Sequence, residues 1–321
     1  MAVYTDVSDL ALKDFLADYG LGKLLAYKGI AEGVENSNYL LHVEAGFFIL
    51  TLYEKRVNAG DLPFFLGLME HLSMRGLVCP QPVKTQHGAL FKPLAGRPAA
   101  IVTFLEGVST RAPTVAYCAA LGTALAELHR AGADFRLERA NSLSISAWPQ
   151  LFAQSKDGAD SVEPGLAAFL TDELAALAAL WPRALPRGVI HADLFPDNVL
   201  FLGEKVSGLI DFYFACTDYL AYDLAVCLNA WCFEPDFSYN ITKGKALIDA
   251  YQRGRQLTPQ EVAALPVLAR GAALRFTLTR LVDWLNVPPG ALVKPKDPRE
   301  YVKRLRFHQR ATSPGDLGLA F

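Results

Sequence analysis

The chain has 321 residues, 52% of them apolar and 20% charged, with a formal net charge of -2. That balance describes a folded globular protein with room for two lobes, and excludes a largely disordered chain. It also argues against a broad basic surface for nucleic acid, which requires many neutralised phosphates.

The N-terminus has an acidic helical pattern over residues 6–19, closed by Gly20 and Gly22, with no basic start or long apolar run of a signal peptide. After Gly33 the texture changes. Asn38 to Val43 and Phe47 to Tyr53 are strand-like runs separated by Glu44-Ala45-Gly46, and read as a hairpin. Asp61 to Arg75 returns to a helical period, with Leu62, Phe65, Leu66, Met69 and Leu72 on one face. Pro80 and Pro82 punctuate the chain, and short strands are expected around Val83, at Ala89 to Leu94 and at Ala99 to Phe104.

Past Gly107 helices dominate. Thr114 to Arg130 repeats Val115, Cys118, Leu121, Leu125 and Leu128 at helical spacing. Its uncharged stretch, Pro113 to Ala126, is 14 residues long. A membrane span needs about 20, so a buried helix is the better reading. His129 near its end reads as a cap or core contact. A further helix is expected over 166–180, then a loop-rich segment over 188–218, then helix to about 286. Lys294 to Phe321 carries seven Lys or Arg and three Asp or Glu, and reads as a short amphipathic helix around Tyr301, Leu305 and Phe307. The five cysteines, at 79, 118, 216, 227 and 232, are odd in number and include no CxxC pair. A disulfide scaffold is therefore not expected, and a reducing, cytoplasmic compartment is. The expected class is α+β: a small antiparallel-sheet lobe over 1–105 and a larger, mainly helical lobe over 106–321, with a cleft between them.

The chemistry concentrates in VIHADLFPDNVLFLGEKVSGLIDFYF, residues 189–214. A hairpin is expected there, Val199 to Leu202 and Val206 to Ile210, turning at Gly203-Glu204-Lys205. Such a hairpin returns Asp211 toward Asn198, thirteen positions earlier, with Asp193 on the entering loop. Two oxygen ligands near one another suit Mg²⁺, and a third carboxylate can receive a hydroxyl proton; these are requirements of phosphoryl transfer. A polar loop beside a hairpin, with Asp and Asn as turn residues, is the plainer alternative. Gly29 and Gly33, within GIAEGVENSNY, would let backbone amides approach phosphates, although an ordinary turn fits them too. No Walker motif, dinucleotide GxGxxG or GxSxG is present.

HADLFPDN followed by LIDF resembles the catalytic loop and metal-binding segment of protein kinases, and most closely the aminoglycoside-phosphotransferase-like branch. The resemblance implies a bilobal protein-kinase-like fold using ATP and Mg²⁺. It implies that His191 supports the loop, Asp193 serves the acceptor hydroxyl, and Asn198 and Asp211 hold the metal. Gly29, Gly33 and Asn38 would lie at the phosphates, and Phe104, Leu105 and Glu106 at the adenine. Phe195 stands where protein kinases have lysine and Phe212-Tyr213 replaces Phe-Gly, both pointing away from protein substrates. The usual third-strand lysine is absent: alignment places Thr51 there. Lys55 and Arg56 lie four or more residues on, about 13 Å of strand. Glu70, which would pair with that lysine, is left to another partner or to solvent.

Over almost the whole chain, from about residue 2 to 312, FILTLYEKR, AIVTFLEG and LIDFYFACTDYLAYDLA resemble the bacterial homoserine kinases of the kinase-like type, in which Thr51 is the usual residue. The implied acceptor is L-homoserine. An amino-acid acceptor calls for acidic and cationic groups, and Asp218, Arg275 and Arg280 are the candidates, with Asp223 as fitted to a structural role as to substrate contact. Kinases of choline, ethanolamine, aminoglycosides or a methylthioribose-like sugar remain open, as does a catalytically inert binding protein of this fold.

Overall fold

The computed structural model describes residues 5–30, 36–54, 57–287 and 295–319. The chain divides into two compact units, one comprising residues up to Glu106 together with Gly208–Tyr213, the other Gly107–Ser207 with Phe214 onward.

In the first unit, α1 (Asp9–Leu16) begins where the Ser8 hydroxyl accepts the Ala11 N–H. Strands β1 (Leu24–Ile30), β2 (Ser37–Val43), β3 (Gly46–Leu52), β4 (Lys92–Leu94) and β5 (Arg97–Thr103) form an antiparallel sheet ordered β1-β2-β3-β5-β4. The β2–β3 hairpin follows the sequence expectation, with Val43 opposite Gly46, which turns at φ +121°. Alternate β2 residues Tyr39, Leu41 and Val43 are buried with Leu12, Phe15 and Leu16 of α1 and Leu50 and Leu52 of β3. Helix α2 (Leu62–Met74) buries Phe65, Leu66, Met69 and Leu72, the face its periodicity indicated.

Two local readings differ. Strand β1 was not foreseen, because an edge strand with no fully buried residue carries no alternating pattern. Around Val83 there is only an isolated bridge, Pro82 to Val102; proline has no N–H with which to extend a ladder.

The second unit is mainly helical. Its elements are α3 (Val115–Ala131), α4 (Trp148–Ala153), α5 (Ala159–Val162), α6 (Leu166–Leu180), β6 (Arg187–Ile190), β7 (Val199–Leu202), most of β8 (Lys205–Leu209), β9 (Cys216–Tyr219), α7 (Leu220–Trp231), α8 (Ile241–Gly254), α9 (Pro259–Leu285) and α10 (Arg299–Arg310). The hairpin β7–β8 is the one expected, while β6 and β9 pair across a long separation. Helix α9 starts with Pro259 after a capping box in which Thr258 and Glu261 bond reciprocally. By length and composition α9 would cross a membrane, but 67% of its most apolar stretch is buried inside the protein, as befits a core helix. The amphipathic helix expected near the C-terminus is α10, which buries Tyr301, Val302, Leu305 and His308. A small antiparallel-sheet lobe and a larger helical lobe constitute the bilobal protein-kinase-like fold.

Helices α3 and α8 approach closely at Gly122, where an added Cβ would lie 2.2 Å from the Leu247 carbonyl oxygen. Gly122→Ala must therefore push a backbone aside, a cost of about 1–3 kcal/mol that outweighs the gain in helix propensity of about 1. A thermal melt followed by circular dichroism should show a Tm several degrees lower; an unchanged or higher Tm would mean the two helices separate freely.

Candidate active site

Strand β6 delivers the chain into HADLFPDN, and this loop is pinned residue by residue within the second unit. The backbone N–H groups of His191 and Ala192 each donate to the Asp223 carboxylate, both at 2.8 Å. Ala192 sits at φ +63°, a left-handed conformation that costs a non-glycine residue about 1–2 kcal/mol and persists only where its surroundings hold it. Arg275 Nη1 donates to the Ala192 carbonyl at 3.4 Å, and Trp231 Nε1 to that of Leu194 at 2.8 Å. The Phe195 ring rests against Phe276, with centroids 4.8 Å apart.

Asn198 folds back on Asp193. Its Nδ2 donates to the Asp193 carbonyl at 2.8 Å and to Oδ2 at 3.3 Å, which leaves Asn198 Oδ1 without a protein donor among the described residues. Asp193 keeps 19% of its side chain exposed and lies 3.6 Å from Arg275 Nη1. Burial pushes its carboxyl above the usual carboxylate range; Arg275 and His191 oppose that without cancelling it. A carboxylate raised in this way accepts a proton more readily, as a general base should.

Asp223 is the functional residue whose role the sequence did not settle. It stands on α7, is 0% exposed, and also accepts from His129 Nε2 at 3.2 Å. His129, in the core as expected, is completed by the Tyr251 hydroxyl at 2.8 Å. Burial alone would raise the Asp223 carboxyl, but the His129 bond and charge, with the His191 contacts, hold it below its ordinary value. The visible signal was one acid inside the apolar run LAYDLAVCL.

The remaining candidates divide by environment. Arg280 is committed to the α9–α10 junction: Nη1 donates to Glu300 Oε2 at 2.7 Å and to the Asp297 carbonyl at 3.3 Å, over the ring of Tyr301. Asp218, half-buried on β9, accepts from Asn141 Nδ2 at 2.7 Å and from the Tyr219 N–H at 2.8 Å.

In the first unit, Gly29 pairs with Tyr39 at the end of β1, while Gly33, Lys55 and Arg56 lie outside the described residues. Asn38 Oδ1 accepts the Thr51 hydroxyl at 2.8 Å, so the strand position without lysine carries an inter-strand hydrogen bond. Glu70 forms an ion pair with Lys84. Phe104, Leu105 and Glu106 form the connection that follows β5, with Phe104 exposed. Asp211 stands after β8 at φ +65°, followed closely by Tyr213, whose hydroxyl lies 3.2 Å from that of Tyr53 and whose ring meets Phe65 edge-on. The Asn198 amide oxygen and the Asp211 carboxylate are each a hard oxygen donor of the kind Mg²⁺ takes.

The sequence profile of the phosphotransferase enzyme family matches residues 26–257. The chain is 66% identical over 320 residues to the homoserine kinase of Nitrobacter winogradskyi, covering 100% of this chain and 98% of that one. Its fold is similar to the microcompartment-associated aminopropanol kinase, with a TM-score of 0.71 at 17% identity, covering 98% and 99% of the two chains. It is likewise similar to a spectinomycin phosphotransferase solved with ADP and spectinomycin, with a TM-score of 0.67 at 15% identity and 98% of each chain covered.

Proposed function

The chain belongs to the phosphotransferase enzyme family and, within it, to the homoserine kinases, and from that premise we propose that it transfers the γ-phosphoryl group of ATP to the side-chain hydroxyl of L-homoserine, giving O-phospho-L-homoserine for threonine biosynthesis. The observation that carries this reading is 66% identity across the full length of the chain.

Asp193 orients the acceptor hydroxyl and takes its proton as the oxygen forms a bond to the γ-phosphorus and the bridging bond to the β-phosphate breaks. His191 contributes through the loop, its backbone N–H held by Asp223. Asn198 and Asp211 would hold Mg²⁺, which when bound neutralises charge on the transferring phosphoryl group. Gly29, Gly33 and Asn38 serve the phosphates, and Phe104, Leu105 and Glu106 the adenine. Among the acceptor groups, Asp218 and Arg275 fit better than Arg280, whose Nη1 donors are spent on Glu300 and Asp297. The cytosol suits the five cysteines, all free and buried.

The test is ATP consumption with Mg²⁺ and a panel of L-homoserine, L-serine, choline and spectinomycin, with product identified by mass. Homoserine should win on kcat/KM. Serine is one methylene shorter, and displacement of a reacting atom by about 1 Å costs on the order of 100-fold, so a preference of at least that size is expected over serine. A higher kcat/KM for any other acceptor would overturn the assignment.

A further inference from the structure

Arg275 has unspent hydrogen-bonding capacity in a buried place. Its residue is 4% exposed, yet among the described residues its guanidinium makes a single hydrogen bond, the 3.4 Å donation from Nη1 to the Ala192 carbonyl. A guanidinium carries five N–H donors in a fixed fork. The Phe276 ring lies 3.8 Å from its centre, the Phe214 ring 5.5 Å, and Asp193 3.6 Å from Nη1. These contacts offset part of the desolvation of the charge, but supply no acceptor for its Nε and Nη2 donors. A planar anion would.

Tyr222, at the start of α7, points the same way. It is 3% exposed and its hydroxyl has no hydrogen-bond partner in the described structure. Its ring meets Trp181 edge-on at 5.9 Å, and Trp181 lies over Gly271, about one turn before Arg275 on α9. Besides burial, which raises that phenol, Arg275 acts to lower it and Asp218, Cys216 and Asp223 to raise it. Asp218 in turn spends one hydrogen bond on each carboxylate oxygen, leaving lone pairs on both. A cation 3.6 Å from Asp193, with a hydroxyl and a carboxylate to hand, matches the two charged ends of an α-amino acid. Asp223 is committed to two backbone N–H groups and His129, and Arg280 Nη1 to Glu300.

We infer that Arg275 and the Tyr222 hydroxyl receive the carboxylate of the zwitterionic acceptor and that Asp218 receives its ammonium. The inference rests on the acceptor reading given above and assigns its recognition groups. In homoserine the carboxylate carbon and the hydroxyl oxygen are four bonds apart, about 5 Å when extended. That span suits a hydroxyl at hydrogen-bond distance, about 2.8 Å, from Asp193 and a carboxylate at the same distance from the outer edge of the guanidinium.

Three acceptors dissect this site: homoserine, 3-aminopropan-1-ol, which lacks only the carboxylate, and 4-hydroxybutanoate, which lacks only the ammonium. The wild type should prefer homoserine by about 10³-fold or more in kcat/KM over each, since a site with buried polar groups rejects an analogue that leaves them unpaired. Tyr222→Phe should lower kcat/KM for homoserine and 4-hydroxybutanoate by about tenfold, through KM, and leave 3-aminopropan-1-ol unchanged. Asp218→Asn should do the reverse, weakening homoserine and 3-aminopropan-1-ol and sparing 4-hydroxybutanoate. KM for ATP should stay constant in both variants, which shows that they fold. Where a truncated acceptor turns over too slowly, its inhibition constant against homoserine gives the same comparison. If both variants lose all three acceptors equally, or keep the wild-type pattern, the recognition groups are wrong while homoserine remains the acceptor. If the wild type itself prefers an acceptor without the carboxylate, the acceptor reading fails and the assignment of these groups fails with it.

Discussion

Asp193→Asn is expected to lower kcat on L-homoserine by about 10³-fold while leaving the affinity for ATP nearly unchanged. The amide is almost the same size and keeps the hydrogen bond that Asn198 Nδ2 gives to the Asp193 carbonyl, so the loop should hold its shape. It cannot accept a proton, and positioned general bases are worth about 10²–10⁴-fold. The pH dependence supplies a second readout. Burial, exceeding the opposing pull of Arg275 and His191, holds the Asp193 carboxyl above the ordinary carboxylate range. The active form is the deprotonated one, so wild-type kcat/KM should fall as pH drops through that raised value. The variant should lack this acid limb. Turnover near the wild-type rate, or an acid limb that survives the substitution, would remove Asp193 from the role of base.

The second large effect belongs to a residue that touches neither nucleotide nor acceptor in this mechanism. Asp223→Ala leaves two buried backbone N–H groups and the His129 imidazole without their acceptor. Breaking such a buried set typically costs about 3–5 kcal/mol. The same change releases Ala192 from its left-handed conformation, so the surviving folded protein should lose at least about 10²-fold in kcat. Asp223→Asn preserves shape but presents one oxygen to two N–H donors, and should fall between the two. The folded carboxyl of Asp223 lies below its ordinary value, so its contribution to stability is complete above the unfolded carboxylate pKa and is lost as pH falls through the lower, folded one. In urea titrations the gap between wild type and the asparagine variant should therefore be widest near neutrality and close in acid. A gap that does not vary with pH would show that the charge of Asp223 is not what secures the loop.

The local structure of residues 189–214 was legible because its information is local. HADLFPDN and the hairpin after it specify a loop, a turn and two strands within a few residues of one another, and the fold supplies them there. What the sequence concealed depends on partners far along the chain. A strand start is legible at Val189-Ile190, but the pairing of Ile190 with Cys216 of β9 has no turn between adjacent runs to announce it. The anchoring of His191 and Ala192 by Asp223 spans about thirty positions, and Asp223 read equally well as a polar residue inside a helix. Positive φ at Ala192 and Asp211 is invisible for a different reason: neither is glycine, so the strain is imposed by the surroundings rather than permitted by the residue. Burial left Arg275 with donors to spare and Arg280 with acceptors already in hand, a distinction that two arginines on one helical pattern do not reveal.

The first unit is not one continuous stretch of chain. It is completed by Gly208–Tyr213, which arrives a hundred residues after Glu106. Within that unit the Leu209 N–H donates to the Val78 carbonyl at 3.0 Å, Gly208 lies against Leu105, and Tyr213 packs on Tyr53 and Phe65. A ribosome that has released only the sheet and α2 has therefore not yet supplied every piece of the small lobe. Its last contacts wait until two thirds of the protein has been synthesised, and during that interval Phe65 and Tyr53 lack the ring that closes over them. A gene fragment cut at Glu106 would inherit the same defect permanently, exposing apolar surface that invites aggregation and chaperone binding. Adding back the six residues as a tethered segment, rather than lengthening the fragment at its own end, is the way to obtain this lobe by itself.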